Sequence, residues 1–198
     1  TESFTVERSP GQSALVLERM DLGLLRRLAE RGPSLGKLGL AAPLVMTREH
    51  IATSLDTFPL EFIEIQQLHV TVFGEDPFAE LSFQDGHVRL ECERELKRFL
   101  IGLRQGLLAS AGRATHLREI QRDAAFGLLR TLRGMLWLKG AKTHLVDERV
   151  VAKVEELAKA QLRGLRGALA LPGSGGCDSG VEVLYADVEA LNVAVEGW

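Results

Sequence analysis

Four stretches of this chain carry apolar residues at helical spacing, and that pattern constrains the fold more than any other feature. Cys92, Leu96, Phe99, Leu103 and Leu107 share one face after Asp85-Gly86, and Leu117, Ile120, Ala124, Leu128, Leu132 and Met135 share a second. Val150, Val154, Leu157, Gln161 and Leu165 make a third, interrupted by Gln161, and Val181, Leu184, Val188, Leu191 and Val195 make a fourth. Residues recurring every three or four positions line one side of an α-helix. A helix with one apolar stripe must bury it against a neighbour, so four of them predict an up-down bundle over residues 85–198. Pro172-Gly173-Ser174-Gly175-Gly176 reads as a flexible linker between the third and fourth helices.

Before residue 80 the pattern is different. Residues 4–8 and 14–18 have strand-like content and are separated by the turn-forming Ser9-Pro10-Gly11-Gln12, which predicts a hairpin-like pair. Asp21 precedes Leu22, Leu24, Leu25 and Leu28 as a helix cap, and Gly32-Pro33 is expected to end that helix. Residues 42–46 read as a short strand, with Thr47 capping a helix that carries Ile51 and Leu55. Residues 60–65 and 69–73 read as further strands, closed by the turn Gly74-Glu75-Asp76-Pro77. The expected fold is therefore α+β: a small mixed sheet in a domain over residues 1–80, then an α-helical bundle domain over 81–198.

The chain has 198 residues, 45% of them hydrophobic and 26% charged, which is the composition of a packed globule and not of a disordered chain. Its apolar runs, such as residues 40–46, fall well short of the roughly 20 residues a membrane span needs. The first residues lack the basic stretch and apolar core of a secretory leader. Cys92 and Cys177 form neither a disulfide framework nor a zinc-ligand spacing. The expectation is a soluble, cytoplasmic protein with two free thiols and no membrane partner.

Net charge is -3 but unevenly spread. Residues 47–87 hold Arg48 against eight acids, whereas residues 88–140 hold eleven basic residues against five acidic ones. The asymmetry lets two parts of a protein attract each other, or sets acidic metal ligands opposite basic phosphate contacts. With a sequence pI near 6.0 and no basic surface interleaved with aromatics, nucleic acid is not an expected partner. The arginines Arg118, Arg122, Arg130 and Arg133 read as a solvated helix face. The histidines at 50, 69, 87, 116 and 144 are scattered, without the pairing of a zinc site.

Phe58-Pro59-Leu60-Glu61-Phe62-Ile63-Glu64-Ile65 places two carboxylates in an apolar run. A buried carboxylate is costly unless it is paired or binds a metal. In an extended strand, Glu61 and Glu64 would point to opposite faces.

Several runs carry a resemblance: Ala42-Pro43-Leu44-Val45-Met46-Thr47, Ser54-Leu55-Asp56-Thr57-Phe58-Pro59-Leu60-Glu61-Phe62, Phe73-Gly74-Glu75-Asp76-Pro77 and Cys92-Glu93-Arg94-Glu95-Leu96-Lys97. Together they resemble bacterial proteins of the nucleotidyltransferase fold, in the DNA polymerase β superfamily that includes the aminoglycoside nucleotidyltransferases, with a helical domain after the catalytic one. The resemblance implies a nucleoside triphosphate bound with Mg²⁺ between the two halves and a nucleotidyl group passed to an acceptor. It implies Ser13 and Arg94 as nucleotide contacts, and Glu61, with Glu64 as its alternate, as metal ligands. In that family a Gly-Ser turn holds the triphosphate and an Asp-x-Asp pair holds two metal ions. Here Gly11, Gln12 and Ser13 stand where that signature belongs, and Glu18 is the one acid on the strand that follows. Either the member is degenerate or the signature lies outside these residues. Two expectations from different classes result: a nucleotidyltransferase-like enzyme, or a catalytically inactive member whose bundle is a binding or homodimerisation module.

Overall fold

The computed structural model describes residues 11–142, 145–170 and 180–198, which fall into two compact units, Thr1–Leu55 and Asp56–Trp198. Among the described residues the protein is α+β: two strands in the first unit, and helices that dominate the second. The division falls before Pro59 and not near residue 80, because the next element packs with the bundle.

In the first unit, β1 (Ala14–Leu17) pairs in parallel with β2 (Leu44–Thr47), with Ala14 opposite Leu44 and Leu17 opposite Thr47. Helix α1 (Leu22–Lys37) makes the crossover that parallel strands require. Asp21 caps α1, its Oδ1 accepting from the Gly23 and Leu24 amides at 2.8 and 3.1 Å. The expected stop at Gly32-Pro33 is corrected: α1 runs through Pro33, on a surface stretch where one missing hydrogen bond is tolerable. It ends instead at Lys37, with Gly39 just beyond the cap at a φ of 75° that no β-carbon obstructs. The Leu40 and Gly39 amides close the turn on the Leu35 and Gly36 carbonyls at 3.1 and 3.0 Å. Thr47 caps α2 (Arg48–Thr53) as expected, accepting from the His50 amide at 3.0 Å. The expected mixed sheet is a parallel pair among the described residues, and residues 4–8, its proposed hairpin partner, lie outside them.

The second unit opens with the main correction. Residues 59–68 are a helix, α3 (Pro59–Leu68), not a strand. Proline pre-sets the first helical turn, and Glu61 adds a favourable charge at the positive end of the helix dipole. Leu60 and Ile63, three positions apart, enter the core at 2% and 1% exposure. The strand expected at 69–73 is absent too, for these residues join a loop that returns to α4 (Asp85–Ser110). That loop is tied at its base. His69 Nε2 and Asp76 Oδ1 lie 2.9 Å apart, and the Gln66 amide Nε2 donates towards the carbonyls of Phe78, Ala79 and Leu81 at 2.9 to 3.2 Å.

Helix α4 turns tightly into α5 (Ala114–Leu138) through Ala111 and Gly112, both with positive φ, and the two pack as a hairpin. The third expected stripe is two helices, α6 (Asp147–Ala158) and α7 (Arg163–Leu169), because Lys159 adopts φ 52° and turns the chain where Gln161 interrupts the pattern. Glu155 seals this break, accepting from the Leu162 amide at 2.9 Å and from Arg166. The fourth stripe becomes α8 (Val181–Glu196), and its Val181, Leu184, Val188, Leu191 and Val195 are all buried. Gly164 lets α7 meet α8 backbone to backbone, since a β-carbon there would collide with Val183 and Leu184. Asp187 fixes this crossing by accepting from the Leu165 amide at 2.8 Å. No described helix is long and apolar enough to cross a membrane. Cys92 is a free, fully buried thiol, and Cys177 lies outside the described residues.

Candidate functional site

Because α3 is a helix, Glu61 and Glu64 point the same way, three positions apart. Both reach α5. Arg130 donates from Nε to Glu64 Oε2 at 2.7 Å and from Nη1 to Glu61 Oε1 at 3.2 Å. Arg133, one turn on and largely buried, lies 3.6 Å from the other oxygen of Glu64 and also holds Asp147 at the start of α6. A chain of alternating charge thus joins α3, α5 and α6. Burial opposes the charge on Arg130, but the hydrogen bond it donates to Glu64 and the fields of Glu64 and Glu61 outweigh it, so its pKa is raised.

Beside this clamp is a cleft of about 190 Å³ lined by Leu60, Glu61, Glu64, Glu95, Phe99, Phe126, Gly127, Arg130 and Thr131. Its floor is close packed, because Gly127 lets the Phe99 ring lie on α5 where a β-carbon would meet the ring carbons at 2.9 and 3.0 Å. Glu61 Oε2 is buried without a hydrogen-bond partner. Arg98 pairs with Glu95. Next along α4, Arg94 Nη1 donates to Glu91 at 2.8 Å. Burial pushes the Glu91 carboxyl above the ordinary range, Arg94 opposes that, and Glu95 and Glu61 add to it.

Of the residues expected at a site, Glu61 and Glu64 therefore come together, and Arg94 stands one acid away from them. Ser13 belongs to the first unit, just before β1, where its carbonyl accepts from the Leu44 amide at 2.8 Å. A broad hollow of about 790 Å³ follows β1, lined by residues 17–24. A phosphate at that strand-to-helix turn would need free helix amides. Asp21 already occupies two of them, and Glu18 adds a second negative charge to the lining.

A divalent cation at Glu61 and Glu64 would have to displace Arg130, which takes one oxygen of each and leaves Glu61 Oε2 as the uncommitted one. Among the described residues, no three His, Cys, Asp or Glu side chains are grouped to hold a metal ion. Sequence reading missed Arg130, which it placed on a solvated face. Pro59 as a first-turn proline was the signal, since it sets Glu61 and Glu64 on one helical side and calls for a cation opposite. Comparison with protein-family models, curated proteins and solved structures finds no match for this chain.

Proposed function

We propose that this chain is a nucleotidyltransferase-like protein that is catalytically inactive and works through its helical unit as a binding module. The observation that carries this reading is the clasp of Glu61 and Glu64 by Arg130, which commits to helix packing the two acids the resemblance assigns to metal. The β1 turn supports it, since β1 itself carries no acid, Glu18 stands just past its end, and Asp21 closes the helix amides. Calorimetric titration with ATP and Mg²⁺ tests it: weak or no binding is expected. A low-micromolar dissociation constant that depends on Mg²⁺ overturns it.

One observation favours the catalytic alternative, in which a nucleoside triphosphate binds with Mg²⁺ and a nucleotidyl group passes to an acceptor. Glu61, which lines the cleft, keeps its Oε2 buried and without a hydrogen-bond partner, an oxygen left for a cation to take. In that case Glu61→Gln abolishes Mg²⁺ or Mn²⁺ binding and leaves the fold intact.

A further inference from the structure

Two surfaces of the second unit expose large apolar side chains and complement each other in charge. Along α4, residues Leu90, Arg94, Lys97, Ile101, Arg104 and Leu108 follow one another at alternating steps of four and three. That is the spacing of a helix-pairing seam. It is not the face α4 buries, which carries Val88, Cys92, Leu96 and Leu103. Leu90, Ile101 and Leu108 are 54%, 51% and 82% exposed. Each of the three cations between them has one contact, Arg94 with Glu91 on α4 itself and Lys97 and Arg104 with Glu196 and Tyr185 at the edge of α8, and no acid stands on the seam itself.

The second surface is the tip of the loop tied by His69 and Asp76. Val70, Val72 and Phe73 are 74%, 95% and 96% exposed there. Glu75, Asp76 and Glu80 follow directly, and residues 49–88 contain no Lys or Arg at all.

We propose, building on the binding-module reading, that two copies of this chain dock reciprocally, the apolar tip of each lying on the α4 seam of the other. The contact joins apolar to apolar and acidic to basic. Seam on seam is the poorer pairing, because antiparallel copies of α4 would set Arg94 against Arg104. A lipid surface is the poorer partner for the tip, because anionic headgroups repel a segment this acidic. A chain's own tip cannot cover the far end of its own seam. Leu108 lies about 35 Å along α4 from Asp85, and Gln66 and His69 hold the loop against α3. A two-fold arrangement makes the two contacts equivalent, each tip meeting the Ile101–Arg104–Leu108 end of the other copy's seam.

Sedimentation equilibrium on the full chain tests this. The wild type is expected at twice the chain mass, with association weakening as salt is raised. Phe73→Asp and Leu108→Asp should each sediment at the chain mass with the helical circular dichroism of the wild type, since both side chains are exposed. Mixing the two variants should restore weak association, because one of the two reciprocal contacts is then intact. A monomeric wild type overturns the proposal, including one whose tip instead binds anionic vesicles or a different protein. So does a dimer indifferent to both substitutions. The nucleotide titration is independent: tight binding of ATP with Mg²⁺ by a tip-dependent dimer sinks the inactive reading and leaves the dimer standing.

Discussion

Arg130 on α5 holds Glu64 on α3 through its Nε at 2.7 Å, sixty-six residues apart in the chain. The same guanidinium holds Glu61, so one cation bridges two acids that would otherwise repel across a helical turn. The arginine side chain is 46% exposed, and solvent screening keeps such a pair near 1 kcal/mol. Glu64→Gln should lower the melting temperature by about 3 °C, and Glu61→Gln by less, while affinity for Mn²⁺ stays as in the wild type. Differential scanning calorimetry and a Mn²⁺ titration on the same samples check this. Unchanged stability in both variants removes the clamp from the account.

Much of the helical unit was legible in the sequence, and the α3 segment was not. Most stripe residues, from Cys92 and Leu96 to Val195, are buried as expected because leucines and valines at 3.6-residue spacing select one helical face, whereas Leu107, at 41% exposure, lies off the core. Residues 59–68 are apolar on two sides, and such a run reads equally as a buried strand or a buried helix. Only Pro59 distinguished them. The break at Lys159 was hidden for another reason: a left-handed residue interrupts a helix without disturbing its apolar period for long. In the first unit, the caps Asp21 and Thr47 were readable because a cap is a local interaction. The passage of α1 through Pro33 was not, since it depends on the surface placement of that turn. At the candidate site, Glu61 and Glu64 were found, but their partner was not, because Pro59 signals that a cation is needed and not which of the distant arginines supplies it.

Leu132 and Leu191 lie on different stripes, and both are fully buried. Each Leu→Ala change should cost roughly 2 to 5 kcal/mol by chemical denaturation. A variant within 1 kcal/mol of the wild type would mean that its helix presents another face to the core.

Gly164 and Gly102 make a contrasting pair. Alanine at 164 would force α7 off the α8 backbone and should cost about 3 kcal/mol. Alanine at 102 meets open space on the surface of α4 and should stabilise by up to about 1 kcal/mol through helix propensity. Urea midpoints with equal slopes would separate the two effects, and equal losses at both sites would contradict the close crossing.

Glu155 gives the helix break a pH dependence. The Arg166 hydrogen bond, aided by the Leu162 amide, holds its carboxyl below the ordinary range despite burial. A depressed carboxylate stabilises fully above its unfolded pKa and loses that contribution as pH falls through the folded value. Glu155→Gln should therefore be less stable than the wild type at neutral pH, with the gap closing below about pH 4. A gap that is constant with pH would show that the interaction does not depend on the charge.

Burial pushes the Cys92 thiol far above its usual range, with the nearby Glu91 and Glu93 adding to the shift. In a Cys177→Ser background, a thiol reagent should label Cys92 at the rate of global unfolding and not faster. Rapid labelling of the native protein would place Cys92 outside the α4–α5 core.

The Gln66 amide reaches across to three carbonyls of the loop that follows α3, at Phe78, Ala79 and Leu81. A side chain that fixes both ends of a loop lets its tip arrive at any encounter already ordered, so the conformational entropy normally lost on capture has been spent during folding. The effect on recognition is kinetic as well as energetic. Gln66→Ala would leave Val72 and Phe73 in place chemically, yet turn a rigid projection into a tether that must search for its bound form.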